Sequence, residues 1–213
     1  MKCVVTGGAG FIGSHLVDRL LSDGYVVTVV DNLSTGKLRN LEQHFANRDF
    51  KFIQGDLLDI QITNKVMIDC DVVFHIASHS DVREGERKSR IDLENGTIAT
   101  YNILESMRIN GVSKIVFASS ASVYGLTPGI PMSEDYGPLL PISLYGANKV
   151  AAEAIISAYC NTFDLFAWMF RFANVVGSRR QNGVVTDFVR KLKENCRELE
   201  ILGNGKQCKP LVL

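Results

Sequence analysis

The sequence is poor in the features that would place it in several large classes. It has no excess of either charge: 23 Lys and Arg balance 23 Asp and Glu. Nucleic-acid binding by backbone electrostatics needs a basic surplus, so that class is excluded, whereas an anionic small ligand needs only a local positive site. Five cysteines at positions 3, 70, 160, 196 and 208 are scattered and odd in number, with no CxxC pair. A disulfide framework and a zinc site are therefore not expected, and a reducing cytoplasm is the expected setting. No apolar run approaches bilayer length. The opening MKCVVTGGAG breaks into glycines too soon for a signal-peptide core, so no membrane association is expected. Repeats and low-complexity segments are absent too.

What is present is an alternation of apolar strands and amphipathic helices. KCVVT, YVVTVVD, FKFIQGD, CDVVFHIA, SKIVFASS and LFAWMFRFAN read as strands. Helical patterns run over residues 11–22, 57–68, 92–109 and 145–161. Strands apolar on both faces, separated by such helices, predict an α/β fold: a Rossmann-like, doubly wound parallel sheet with helices on both faces. The alternation weakens after Val175, so a dinucleotide-binding domain is expected over 1–175 and the start of a second lobe over 176–213. Residues 121–143 form a long stretch rich in proline and glycine after the fifth strand, where ligands bind in open α/β sheets.

TGGAGFIG places glycines at 7, 8, 10 and 13 between the first strand and the first helix. A turn lacking Cβ atoms lets a pyrophosphate approach the backbone and rest on the helix N-terminus. Gly13 would let the helix pack close to the strand. Asp31 closes the second strand, where a carboxylate accepts hydrogen bonds from a ribose diol and repels a 2′-phosphate. NAD is thus expected rather than NADP, although Lys37 and Arg39 follow nearby. Asp56 has two readings, an acceptor for the adenine amino group and an N-cap for the next helix.

Tyr145 and Lys149 stand one helical turn apart in SLYGANKVAAEA. A free phenol has a pKa of about 10, and making it a base near neutrality takes roughly 4 kcal/mol of selective phenolate stabilisation. A lysine ammonium one turn away, with an oxidised nicotinamide, is the expected source. Ser120 ends the fifth strand and would share the same substrate hydroxyl. By themselves, Tyr145 and Lys149 read more readily as a solvated i,i+4 surface pair.

TGGAGFIG, DNLSTG, GD at 55–56, HIA at 75–77, SSASVYG at 119–125, YGANK at 145–149 and RFANVVG at 171–177 occur in one order along the chain. Together they resemble the extended short-chain dehydrogenase/reductases, in particular their NAD-dependent nucleotide-sugar epimerase branch. The resemblance implies Ser120, Tyr145 and Lys149 as catalytic residues. It implies cofactor contacts from Gly7, Gly10, Phe11, Ile12, Gly13, Asp31, Asn32, Ser34, Thr35, Gly36, Asp56, Leu57, Ile76, Ala77, Ser78, Tyr145, Lys149 and Phe172. Substrate contacts are implied for Ser80, Val82, Ser120, Tyr145, Asn174, Val184, Val185 and Lys209, with a UDP-hexose as the expected substrate, and no metal is implied. Without the resemblance, Asn174 reads equally as a strand-end turn residue, and Val184 and Val185 as core residues at a helix start. His75 and His79 read as strand-end residues, and Trp168 and Met169 as core. A homodimer is implied, built through the helices over 92–109 and 145–161.

Two departures stand out. Where the family carries an asparagine four residues before Thr97, this chain has Leu93, with Asn95 displaced. The chain also ends where relatives continue into the rest of the substrate lobe, so it is expected to be a fragment or a short protein. Ala121 and Ser122 follow Ser120, where dehydratase and decarboxylase relatives carry carboxylates. This favours C4 epimerisation over water elimination, with a reductase or a bare NAD-binding module as the alternatives.

Overall fold

The computed structural model describes residues 1–79, 82–126, 132–180, 182–201, 203–205 and 211–213. They fall into two compact units, 1–171 and 172–213.

The first unit opens with β1 (Lys2–Thr6), α1 (Phe11–Ser22), β2 (Val26–Asp31), β3 (Phe50–Gln54), α2 (Ile60–Met67) and β4 (Val72–His75). α3 (Val82–Arg87), α4 (Arg90–Asp92), a π-helical segment (Leu93–Ile98) and α5 (Ala99–Asn110) follow. β5 (Lys114–Ser120), a short 3-10 turn (Ala121–Tyr124), α6 (Leu144–Phe163) and β6 (Phe166–Phe172) close the sheet. Strand order is β3-β2-β1-β4-β5-β6, and the β1–β2, β2–β3, β1–β4 and β4–β5 ladders are parallel. The chain winds outward from β1 to β3, then returns to β4 on the other side of β1. That reversal opens a crevice at the C-terminal ends of β1 and β4, the ligand position in such sheets.

Alternate residues of each strand serve opposite faces. Val4 joins Val73, Ile103, Met107, Phe117 and Ile156 in one buried cluster, while Cys3 and Val5 join Val17, Leu20, Val27 and Val29 in the other. The sheet is therefore sandwiched, which is why its strands read as near-continuous apolar runs.

Three expectations change. The helix expected from residue 57 starts at Ile60, because Asp59 accepts the Gln61 N–H at 2.9 Å and is the N-cap. Asp56 instead closes a turn through Leu58 N–H at 2.9 Å. The single helix expected over 92–109 begins at Arg90 and carries the π segment. There Asn95 Nδ2 bonds the Ile91 carbonyl at 3.0 Å. Gly96 also lies where a Cβ would come within 2.9 Å of Asn148 Cβ on α6. Trp168 and Met169 are 50% and 40% exposed rather than core, because β6 is the edge strand.

The second unit contains β7 (Asn174–Val175), α7 (Val184–Glu194) and β8 (Leu211–Val212), with β7 and β8 paired in parallel. Among the described residues no helix is long and apolar enough to cross a membrane.

Candidate active site

The turn from β1 into α1 is built from glycines that nothing larger can replace. Gly7 has φ +69°, and a Cβ there would lie 2.7 Å from the Ala77 Cα. A Cβ on Gly13 would lie 2.2 Å from the Gly7 carbonyl oxygen. α1 thus begins against the turn, and its N-cap, Gly10, has no side chain to cover the free N–H groups of the first turn, where Phe11 and Ile12 are half-buried.

Asp31 is buried at the end of β2. Its two oxygens accept the Ala9 N–H at 3.0 Å and the Leu33 N–H at 2.8 Å. Burial raises its pKa, opposed by those two hydrogen bonds. Each oxygen keeps a lone pair. A Cβ on Gly36 would stand 2.9 Å from both oxygens, so this glycine leaves the carboxylate clear. The pyrophosphate cradle and the diol acceptor both fit a dinucleotide.

Asn32 donates to Asp56 at 3.0 Å and accepts the Ser34 N–H at 3.0 Å, shaping a loop on which Ser34 and Thr35 are exposed. Leu57 is buried in the core, and Ile76 and Ala77 are half-buried beyond β4. The Ala77 N–H donates to Thr6 Oγ1 at 3.2 Å, drawing the ends of β1 and β4 together.

Ser143 caps α6 by accepting the Gly146 N–H at 3.1 Å, which sets Tyr145 in the first turn. Ser78 and Tyr145 line one small pocket, and the Ser120 and Ser78 hydroxyls are the nearby polar groups that favour the phenolate. Ser120, Tyr145 and Lys149 are thus brought to one place. Lys149 is 4% exposed. Its Nζ donates to the Ala118 carbonyl at 2.6 Å, lies 4.7 Å from the Phe117 ring centroid and 5.8 Å from that of Tyr145. Burial pushes its pKa down to about 8, opposed by Glu153.

One electrostatic expectation fails. In the protein alone the Tyr145 pKa is raised, not lowered. Burial dominates, only the Ser120 and Ser78 hydroxyls oppose it, and the Asp92 charge adds to it. The ammonium is aimed at the Ala118 carbonyl instead.

Sequence reasoning missed four neighbours. Ser78 was expected at the cofactor, not on the phenol. Asp92 is 3% exposed and shares a small pocket with Ser78, His79, Tyr145 and Lys149. Nothing in its local sequence signals this. Glu153 accepts a hydrogen bond from Ser119 and a two-pronged contact from Arg171 at 2.8 and 3.1 Å. Its signal was legible, since it follows Lys149 by the same four residues that separate Lys149 from Tyr145. Ser122 donates to Ser120.

His75 and His79 each have protein partners. His75 is buried with Thr6 Oγ1 at 2.8 Å on one ring nitrogen and Thr100 Oγ1 at 3.0 Å on the other. Burial, with Lys149 nearby, lowers its pKa to about 3. His79 meets Glu84 at 3.1 Å and Asp92 at 3.6 Å. Among the described residues no cluster of His, Cys, Asp or Glu could hold a metal.

Ser80, Lys209 and the side chain of Val82 lie outside the described residues. Phe172 and Asn174 are half-buried in the second unit, Asn174 in β7. Val184 and Val185 do start a helix, but they are 53% and 43% exposed, not core.

The sequence profile of the NAD dependent epimerase/dehydratase family matches residues 3–212. The chain belongs to that family. NAD is the family's cofactor, in keeping with the glycine cradle and Asp31. A UDP-glucose 4-epimerase of Mycolicibacterium smegmatis is 38% identical over 218 residues, covering 100% of this chain and 69% of that protein. A crystal structure of UDP-glucose 4-epimerase with UDP-glucose from Thermotoga maritima superposes with TM-score 0.91 at 34% identity, over 100% of this chain and 69% of that one. The family's chemistry is wider than epimerisation. A dTDP-glucose 4,6-dehydratase from Streptomyces venezuelae with NAD bound matches with TM-score 0.94 at 30% identity, over 100% of this chain and 68% of that one.

Proposed function

We propose that this protein interconverts the C4 epimers of a UDP-hexose, of the UDP-glucose and UDP-galactose type, with NAD as a resident cofactor. The supporting observation is Tyr145 with the buried Lys149 ammonium 5.8 Å from its ring centroid and the Ser120 hydroxyl acting on its phenol. Ala121 and Ser122 follow Ser120, so the turn carries no carboxylate for water elimination or decarboxylation.

Gly7, Gly10, Phe11, Ile12 and Gly13 would hold the cofactor pyrophosphate, and Asp31 the adenosine ribose. Asn32, Ser34, Thr35, Gly36, Asp56 and Leu57 would border the adenosine half. Ile76, Ala77, Ser78, Lys149 and Phe172 would border the nicotinamide half. Bound NAD supplies a hydride acceptor that becomes the hydride donor for the return step. Tyr145 takes the proton of the sugar C4 hydroxyl and gives it back after the keto sugar has turned. Ser120 donates to the same oxygen and holds it against the phenol. Tyr145, raised in the protein alone, would gain phenolate stabilisation from a positive ring held beside it.

The second unit would begin a substrate lobe, with Asn174 and Lys209 at the diphosphate and Val184 and Val185 at the uracil. From the first unit, Ser80 and Val82 would serve the sugar. A cytoplasmic setting fits the four free cysteines among the described residues, Cys3, Cys70, Cys160 and Cys196. A homodimer through α5 and α6 fits Tyr101, Ile109 and Phe163, all more than 40% exposed on those helices. Sedimentation at micromolar concentration should give twice the chain mass, and a monomer would remove the dimer.

The activity test is equilibration of UDP-glucose with UDP-galactose without added NAD. Tyr145→Phe should retain NAD and lose turnover by several orders of magnitude. Unchanged turnover in that variant would take the base role from Tyr145. The chain spans 67% to 69% of several relatives. The raised pKa of the Tyr145 phenol fits a second reading, an NAD-binding module without turnover. Tight NAD with no interconversion by the unaltered protein would favour it.

A further inference from the structure

Within the glycine turn, Ala9 is tied down at both of its peptide groups. It stands among Gly7, Gly8 and Gly10 and is fully buried. Its N–H donates to Asp31 Oδ2 at 3.0 Å. Its carbonyl accepts the Lys37 N–H at 3.0 Å and the Asn40 Nδ2–H at 2.9 Å. Asp31 ends β2, and Lys37 and Asn40 lie in the segment that follows it.

Glycine has little backbone preference, so a turn built mostly of glycine is loose by itself. An anion is held well only where the N–H groups already point toward it, since ordering them on binding costs affinity. The Ala9 carbonyl belongs to the peptide that enters Gly10, the extended N-cap (φ −75°, ψ −178°) from which α1 departs. That oxygen has two lone pairs, and both are engaged. Lys37 engages it through its backbone, where the side chain is immaterial. Asn40 engages it through its side chain, so the residue type matters there.

Asn40 is 7% exposed and is itself held in place. Its N–H donates to the Lys37 carbonyl at 2.9 Å, and its own carbonyl accepts Gln43 Nε2 at 3.2 Å. Gln43 and His44 contact Asp18 on α1 at 2.9 and 2.6 Å, and Leu41 is buried in the same cluster as Ala9. The segment is thus fastened to α1 without the Asn40 side chain, which is left to brace the turn.

We propose that Asn40 is a positioning residue for the cofactor pyrophosphate: its side-chain amide holds the Ala9 carbonyl and keeps the glycine turn in the shape that receives the anion. The inference rests on reading that turn as the pyrophosphate cradle and does not depend on epimerisation. Ala9 then couples the cradle to Asp31, the acceptor for the adenosine ribose.

The test is displacement of NADH, followed by its fluorescence, with ADP and with adenosine as competitors. These two differ only in the diphosphate, so the ratio of their dissociation constants reads the turn, and a general loss of folded protein cancels. Asn40→Leu, similar in size but without the donor, should lower the preference for ADP by about 3- to 10-fold, the equivalent of one hydrogen bond. If Asn40→Leu does not fold, Asn40→Ala makes the same comparison. Gln43→Ala loosens the same segment but leaves the Ala9 carbonyl both of its donors, and its preference for ADP should match that of the unaltered protein. An undiminished preference in the Asn40 variant, or an equal loss in Gln43→Ala, would overturn the proposal. An unaltered protein that binds ADP no more tightly than adenosine would sink the cradle reading and this one together. The measurement needs neither sugar nor turnover, so an inactive protein would count only against the epimerase reading.

Discussion

At the scale of single residues, the site balances burial against a few polar contacts. Tyr145 must ionise where burial opposes ionisation, and Asp92 adds a negative charge on the same pocket wall. Removing that charge should help the phenolate. Asp92→Asn is expected to lower the Tyr145 titration midpoint, raising the phenolate ratio at fixed pH by about 3- to 10-fold. An ultraviolet difference titration of tyrosinate, with Tyr145→Phe as the blank for the other tyrosines, checks it, and an upward shift would contradict the assigned sign. Asp92 also bears on the departure at position 93. Leu93 is 46% exposed and Asn95 bonds its own helix, so the polar side chain entering the pocket is a carboxylate one residue earlier. The π segment begins at this point. Its register depends on Gly96 and Thr97 meeting Asn148, with Thr97 Oγ1 2.5 Å from Asn148 Oδ1, a contact between segments 51 residues apart.

At the scale of elements, α6 is fastened behind its reactive face. Arg171 on β6 grips Glu153 and donates also to the Tyr124 hydroxyl and the Glu134 carbonyl, each at 3.0 Å. Tyr124 and Glu134 belong to the segment joining Ser120 to α6, so one guanidinium ties together the pieces that carry Ser120, Tyr145 and Lys149. A buried carboxylate that loses its cation is costly. Arg171→Met should destabilise the fold by about 3 kcal/mol, and adding Glu153→Gln should recover much of that loss. Urea unfolding of the single and double variants measures the difference. Strictly additive losses would mean that the contact is not a coupled pair.

At the scale of the whole molecule, two buried bases give stability a predictable pH dependence. His75 and Lys149 both have folded pKa values below their ordinary ones, about 3 against 6.5 and about 8 against 10.5. Within each window the unfolded chain binds more protons, so stability rises with pH. Falling pH should therefore weaken the fold from about 6.5 toward 3, as His75 must charge between two threonine hydroxyls. Lys149 is held as a buried cation at neutral pH, at a cost of up to about 3 kcal/mol. Lys149→Met should be the more stable protein at pH 7, and its advantage should shrink as pH rises through 8 toward 10.5. Thermal unfolding across that range tests it, and an advantage that grew with pH would reverse the argument.

The sequence by itself determined the sheet, the glycine turn and the Tyr145–Lys149 spacing, because each rests on short-range rules. Strand alternation, the space left by a missing Cβ and the helical repeat are all set within a few residues. Tertiary structure alone decided which groups meet the phenol. Ser78, Asp92 and Ser120 come from three separate segments, and only the folded sheet brings them around Tyr145. It also decided the charge environment, since burial raised Tyr145 and turned the Lys149 ammonium to the Ala118 carbonyl. Desolvation depends on everything packed around a group, and no local spacing encodes that.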